Sequence, residues 1–133
     1  MYSFYSADSW DSLDEMVGAA AGYLKTGRTD VALELLREVL RNDPQHVGAH
    51  ISLTHALRVA GRADEALTHL SDALSTLPEE ESLHMALGDV QADLGQHDAA
   101  IREYQRALEI TPNYAEAYHR IGMAHQKRGR LEA

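Results

Sequence analysis

The sequence predicts an all-α fold built from one helix pair repeated along the chain. Three observations carry this expectation. The three prolines, Pro44, Pro78 and Pro112, stand 34 residues apart. Gly27, Gly61, Gly95 and Gly129 keep the same step in a second phase. Between these marks apolar residues recur every three to four positions, the spacing of a helix that buries one face. No insertion breaks the period, which is the mark of one structural unit stacked on itself.

The elements follow in order. Ser12-Leu13-Asp14-Glu15 reads as a capping box, with Ser12 accepting from the first turn and Glu15 reaching back, so the first helix opens at Leu13. Residues 1–12 form an aromatic N-terminal extension holding Tyr2, Phe4, Tyr5 and Trp10. It is expected to cover the open edge of the first pair or, on a second reading, to dock a partner. In each unit the first helix runs from just after the proline to just before the glycine. Over Gln45–Ala60 the buried stripe is His50, Leu53, Leu57 and Ala60. Gly61 supplies the left-handed turn. The second helix opens at Asp64, with counterparts at Asp30 and Asp98, where an acid caps free N–H groups and meets the positive end of the helix dipole. Ala66, Leu67, Leu70, Ala73 and Leu74 are its apolar stripe, and Pro78 ends it. Asp43-Pro44 and Thr111-Pro112 read as a cap followed by a first-turn proline.

These marks divide the chain into repeat 1 (13–46), repeat 2 (47–80), repeat 3 (81–114) and a partial repeat 4 or capping helix (115–133). Gly129-Arg130-Leu131 matches Gly61-Arg62-Ala63 and is expected to open another second helix. Either the natural chain continues, as in the N-terminal targeting region of a larger enzyme, or the lone helix closes the stack.

The residues at these positions resemble the tetratricopeptide repeat family, whose pattern is W-x2-L-G-x2-Y, then A-x3-F, then P over 34 residues. The third unit fits best, through His84, Leu87, Gly88, Gln91, Ala100, Tyr104, Ala107 and Pro112. The second gives His50, Leu53, Thr54, Leu57, Ala66, Leu70, Ala73 and Pro78, and the first gives Met16, Ala19, Ala20, Tyr23, Ala32, Leu36, Val39 and Pro44. The fourth opens with Tyr118, Ile121, Gly122 and His125. Small residues at the eighth, twentieth and twenty-seventh positions let helices approach closely, and Thr54 is the loose fit. The resemblance implies a right-handed α-solenoid of three full repeats plus the first helix of a fourth, with first helices lining a concave groove.

Family geometry puts Val17, Ile51, His55, Arg58, Met85, Asp89, His119, Arg120, Met123 and Lys127 in that groove, along with Ala21, Leu24 and Ser52. The surface is mixed, apolar with scattered charge, and methionine suits varied partners. The implied function is a non-catalytic adaptor or scaffold holding a peptide or helix of a partner protein. The carboxylate clamp of chaperone-binding members is not built: its positions hold Val17, Ala21, Ser52, Ser82 and Ala86 in one frame and Ile51, His55, Ala86, Glu116 and Arg120 in the next. An alternative is self-assembly into a homo-oligomer, from an acidic body and a basic last segment: the units carry −2, −3 and −4, and residues 115–133 carry +2.

Other classes are disfavoured. A net charge of −9 argues against nucleic acid and anionic membranes. No apolar run approaches the ~20 residues of a membrane span, and the first residues lack a signal-peptide pattern, so the expected location is cytoplasmic. The absence of cysteine removes thiolate sites. No cofactor or metal is expected: eight histidines are present, but there is no H-E-x-x-H, and His50 and His84 occupy the aromatic packing position. Dinucleotide, P-loop and nucleophile-elbow motifs are missing, so no enzyme is read here.

Overall fold

The computed structural model describes residues 10–132, with the side chains of the last two left aside. Tyr2, Phe4 and Tyr5 of the aromatic extension lie outside the described residues, and Trp10 is half-buried. The described residues form seven helices: α1 Leu13–Lys25, α2 Thr29–Asn42, α3 Val47–Val59, α4 Ala63–Thr76, α5 Glu81–Asp93, α6 His97–Ile110 and α7 Ala115–Glu132. No strand occurs among them. The chain divides into two compact units, Met1–Arg62 and Ala63–Ala133.

In the first unit α1 packs on α2, and both pack on α3. Met16, Ala20, Ala32, Leu35, Leu36, Val39, Ala49 and Ala56 are buried there. In the second unit α4 packs on α5, α5 on α6 and α6 on α7. Its buried cluster joins Met85, Ala100, Tyr104, Ala107 and Ala117, with Leu108, Tyr114 and Ile121 packed against it.

The expected glycine turns are present. Gly27 and Gly95 have φ of 83° and 78°. In each case the N–H one residue later bonds five residues back, Arg28 to Tyr23 and Gln96 to Gln91, both at 2.8 Å. This pattern uses carbonyls the helix end would otherwise leave unpaired. A Cβ at Gly95 meets nothing within 4 Å, so the cost of a side chain is in the backbone alone. Gly95→Ala is expected to destabilise the protein by about 1–2 kcal/mol, read from its urea midpoint. An unchanged midpoint would show that the turn relaxes to a right-handed form.

Several local expectations need correction. The capping box is half formed as expected: Ser12 Oγ accepts from Glu15 N at 3.0 Å. The return bond, however, runs from Asp11 N to Glu15 Oε2 at 3.2 Å, one residue earlier. Asp30 and Asp98 are not N-caps. Helices α2 and α6 start one residue before them, after Arg28 and Gln96, and neither of those gives a side-chain cap bond. The acids sit in the first turn and serve the helix dipole. Pro44 and Pro112 likewise precede their helices by three residues, and in the first of these turns Asp43 Oδ1 accepts from Gln45 N at 3.1 Å. The cap of α3 is His46, whose Nδ1 accepts from Ala49 N at 3.0 Å. Ala60 falls just past the end of α3 and is exposed rather than part of the buried stripe. Gly129 does not break the chain: it keeps a right-handed backbone, unlike Gly27, Gly61 and Gly95, and α7 runs through it.

Thr54 fits the crowded eighth position because its Oγ1 donates to the His50 carbonyl at 2.9 Å, so a buried hydroxyl keeps a partner. The histidines at the aromatic position have a shared task. His50 Nε2 and His84 Nε2 donate to the carbonyls of Pro44 and Pro78 at 2.7 and 2.8 Å. Tyr118 OH does the same to Pro112 at 3.4 Å. A ring N–H there supplies both bulk and a donor, which is what an indole at that position offers.

Candidate interaction sites

The first unit carries an apolar depression of about 220 Å³ lined by Ala20, Ala21, Leu24, Leu36, Ile51, Ser52 and His55. Helical spacing produces it. Leu24 comes from the last turn of α1, while Ile51, Ser52 and His55 are the successive three- and four-residue neighbours of α3. Ala20 and Ala21 are too short to fill the space between them. Val17 and Arg58 are half-buried on the same two helices. Ile51 and His55, expected in a groove, are thus brought together. Ala20 and Leu36 join them; their consensus positions signalled packing, and nothing in the sequence showed that packing would leave them at a floor.

In the second unit the expected residues fare differently. Met85 is not a surface residue. It is only 6% exposed and lies in the core against Tyr104, Ala107 and Ala117. The reason is that α6 and α7 both reach α5 at this level, so the fifth position of α5 faces other helices rather than solvent.

Asp89 and Arg120 pair with each other. Arg120 Nη1 donates to Asp89 Oδ1, and Arg120 Nε donates to Glu116 Oε1 at 3.0 Å. The Tyr104 hydroxyl donates to the same Asp89 oxygen at 2.7 Å. One carboxylate therefore ties α5, α6 and α7. Burial and the Asp89 hydrogen bond push the Tyr104 phenol above its ordinary range, and the Asp89 hydrogen bond likewise holds Arg120 firmly protonated. His119, Met123 and Lys127 are exposed on α7. Arg128 Nη1 donates to Asp98 Oδ1 at 2.6 Å, linking α7 to the start of α6 and holding that exposed carboxyl below its usual range.

Among the eight histidines, His46 and His50 stand four apart. The structure engages both rings elsewhere. His46 Nε2 meets Asp14 Oδ1 at 2.7 Å, and His50 binds the Pro44 carbonyl. His84 Nδ1 faces Glu103 Oε1 at 3.2 Å inside the second unit, and Arg106 Nε lies 3.7 Å from the other oxygen. Among the described residues no group of three or more His, Asp or Glu side chains is placed to hold a metal. No helix among them is long and apolar enough to cross a membrane.

Comparison with known proteins agrees with this architecture. The family described as "Tetratricopeptide repeat" matches residues 23–90, just over half of the chain, and "TPR repeat" matches residues 88–129. No curated protein matches the chain. Among solved structures, MamA protein is 25% identical with a TM-score of 0.70 over 88% of this chain, which spans only 64% of the MamA chain. TTC0263, a thermophilic TPR protein of Thermus thermophilus, is 26% identical with a TM-score of 0.78, covering 92% of this chain and 68% of its own. The first TPR domain of human RPAP3 shares the fold at 19% identity, with a TM-score of 0.80 and coverage of 90% and 94%. The chain belongs to the tetratricopeptide repeat family, whose helical arrays serve as scaffolds for protein–protein interaction.

Proposed function

We propose that this protein is a non-catalytic adaptor that holds a peptide or helix of a partner protein, with the depression on the first unit as its anchoring site. The observation that carries the reading is the depression itself. It is open, apolar and sized for one large side chain, and Ser52 and His55 stand at its edge to orient a backbone. Val17 and Arg58 extend the surface, and Arg58 adds a cationic group. On the second unit His119, Met123 and Lys127 offer further exposed contacts. Asp89 and Arg120 act there as positioning residues, since each already grips the other. The clamp for a terminal carboxylate is absent, so the bound segment is internal or helical. The intracellular side of a cell is the proposed setting.

The test uses a photo-cross-linking residue at Ser52 in native extract, with mass spectrometry of the adduct, and an affinity measurement on the captured protein. Ile51→Glu places a charge in the apolar depression. It is expected to weaken binding at least tenfold, about 1.4 kcal/mol, with an unchanged circular dichroism spectrum. Equal capture by wild type and Ile51→Glu would remove the depression as the site.

A further inference from the structure

Two histidines of this chain are held by opposite sets of partners, and the contrast fixes how many protons each site needs. Before α3 the His46 ring stands between a donor and an acceptor. Its Nδ1 accepts from Ala49 N at 3.0 Å and its Nε2 meets Asp14 Oδ1 at 2.7 Å. One ring proton, on Nε2, satisfies both bonds. On α5 the His84 ring stands between two acceptors. Its Nε2 lies 2.8 Å from the Pro78 carbonyl and its Nδ1 lies 3.2 Å from Glu103 Oε1. A carbonyl has no proton to give, so Nε2 carries one. The Nδ1 contact then needs a second, held by the ring or by the carboxyl. Turning the ring over restores neither bond, because carbon then takes both places.

Burial makes that second proton matter. His84 is 6% exposed and Glu103 is 9% exposed, so a failed bond leaves polar atoms with little water to replace it. The ring also lines an open depression of about 340 Å³ in the second unit, which gives protons a route to solvent without unfolding. The charged groups that share this place with the ring are Glu103, Arg106 and Glu109 of α6 and Glu79 of the elbow, while α4 contributes the apolar Leu74. Glu80 and Glu81 precede the ring on its own side of the elbow. The carboxylates favour the extra proton. Arg106 Nε, 3.7 Å from Glu103 Oε2, favours an ionised carboxylate and so puts that proton on the imidazole.

We propose that His84 and Glu103 form a proton-dependent latch inside the second unit. With both ring nitrogens protonated, His84 ties the elbow before α5 to α6 through Pro78 on one side and Glu103 on the other. Loss of one proton sets a ring lone pair against a carboxylate lone pair. The α5 to α6 tie opens, and the bond to Pro78 stays. The sign follows from the proton count. The folded chain keeps a proton that an unfolded histidine releases near its ordinary value of ~6.5, so the latch is complete below that pH and is lost as pH rises beyond it. His46 has no such need, since its second nitrogen is already an acceptor.

The test uses the full 133-residue chain and two measurements. Nitrogen-15 NMR of the histidine rings at about pH 7, close above the ordinary histidine value, is expected to show two protonated nitrogens for His84 and one for His46. The second measurement compares the wild type with Glu103→Gln, whose amide pairs with a neutral ring by donating to Nδ1. Between about pH 6.5 and 8.5 the folding equilibrium constant from urea denaturation is expected to fall at least about fivefold more in the wild type than in Glu103→Gln, out of a limit of about tenfold per pH unit for one proton. The other seven histidines are common to both proteins and cancel in the comparison. A single protonated nitrogen on His84 in the folded wild type overturns the proposal, and this reading does not depend on how the variant folds. Parallel pH profiles for the two proteins also overturn it, and would leave the pair as a neutral packing contact.

Discussion

Tyr104→Ala is expected to destabilise the second unit by about 3–5 kcal/mol, the largest effect of any single substitution proposed for this chain. The ring is 2% exposed and fills the centre of the cluster formed by Met85, Ala100, Ala107 and Ala117. Its neighbours are mostly alanines, which have no length with which to collapse into the space. The partner of the ring is Gly88, and this makes a sharper experiment. Gly88→Ala alone pushes a methyl group into the Tyr104 ring and is expected to cost about 1–3 kcal/mol, partly offset by the better helix propensity of alanine. In the Tyr104→Ala background the same change should become stabilising, by up to about 1 kcal/mol, because the clash is gone and only the propensity gain remains. Urea denaturation of the four proteins closes the cycle. A Gly88→Ala effect of the same sign in both backgrounds would mean that ring and helix do not meet as described.

Asp89→Ala should be next in size, at about 2 kcal/mol, below the ~3–5 kcal/mol of a fully buried pair because Arg120 retains solvent and Glu116. Two donors lose one acceptor: the Tyr104 hydroxyl, which is buried, and the Arg120 guanidinium. The same geometry sets a pH dependence. The folded-state pKa of Tyr104 is raised, first by burial and then by Asp89. A raised value means the fold favours the protonated phenol. Its contribution is complete below the unfolded tyrosine value near ~10 and is lost as pH rises beyond it. Stability should therefore fall as pH rises above about 10 in the wild type, more steeply than in Tyr104→Phe, which has no proton to lose. Parallel alkaline slopes for the two proteins would separate the phenol from the effect.

Much of the fold was legible because its signals are periodic. Each residue at the 34-residue step repeats the evidence of the last, so prolines, glycines and small residues fix the number and order of helices even where aromatics are missing. What failed was what a period does not encode. Pro44 and Pro112 carry the signature of first-turn residues, yet the chain needs three more residues to change direction before the helix can start. The cap of α3 escapes sequence reasoning because histidine is an uncommon capping residue, and His46 does the work only because Asp14 holds the far side of its ring. Gly129 matches the other turn glycines in sequence, yet α7 runs straight through it to Glu132.

The interaction surface was legible by halves. Ile51 and His55 share one helix face, so spacing alone brings them together. Met85 shares the same register on α5, but its exposure depends on two other helices, α6 and α7, which no local pattern reveals. Tyr104 and Arg120 lie 15 and 31 residues from Asp89 along the chain, and the three meet only through packing.

The bonds from His50, His84 and Tyr118 to the proline carbonyls have a mechanical consequence. Each fastens the elbow between one hairpin and the next, so that elbow cannot flex without tearing a ring-to-carbonyl bond. The imidazole fastenings at 2.7 and 2.8 Å are tight, while the phenolic one before α7 spans 3.4 Å. Under tension applied from the C-terminal end, the elbow before α7 holds by the slackest of the three fastenings, and the ties of Arg120 to Asp89 and of Arg128 to Asp98 then carry the load.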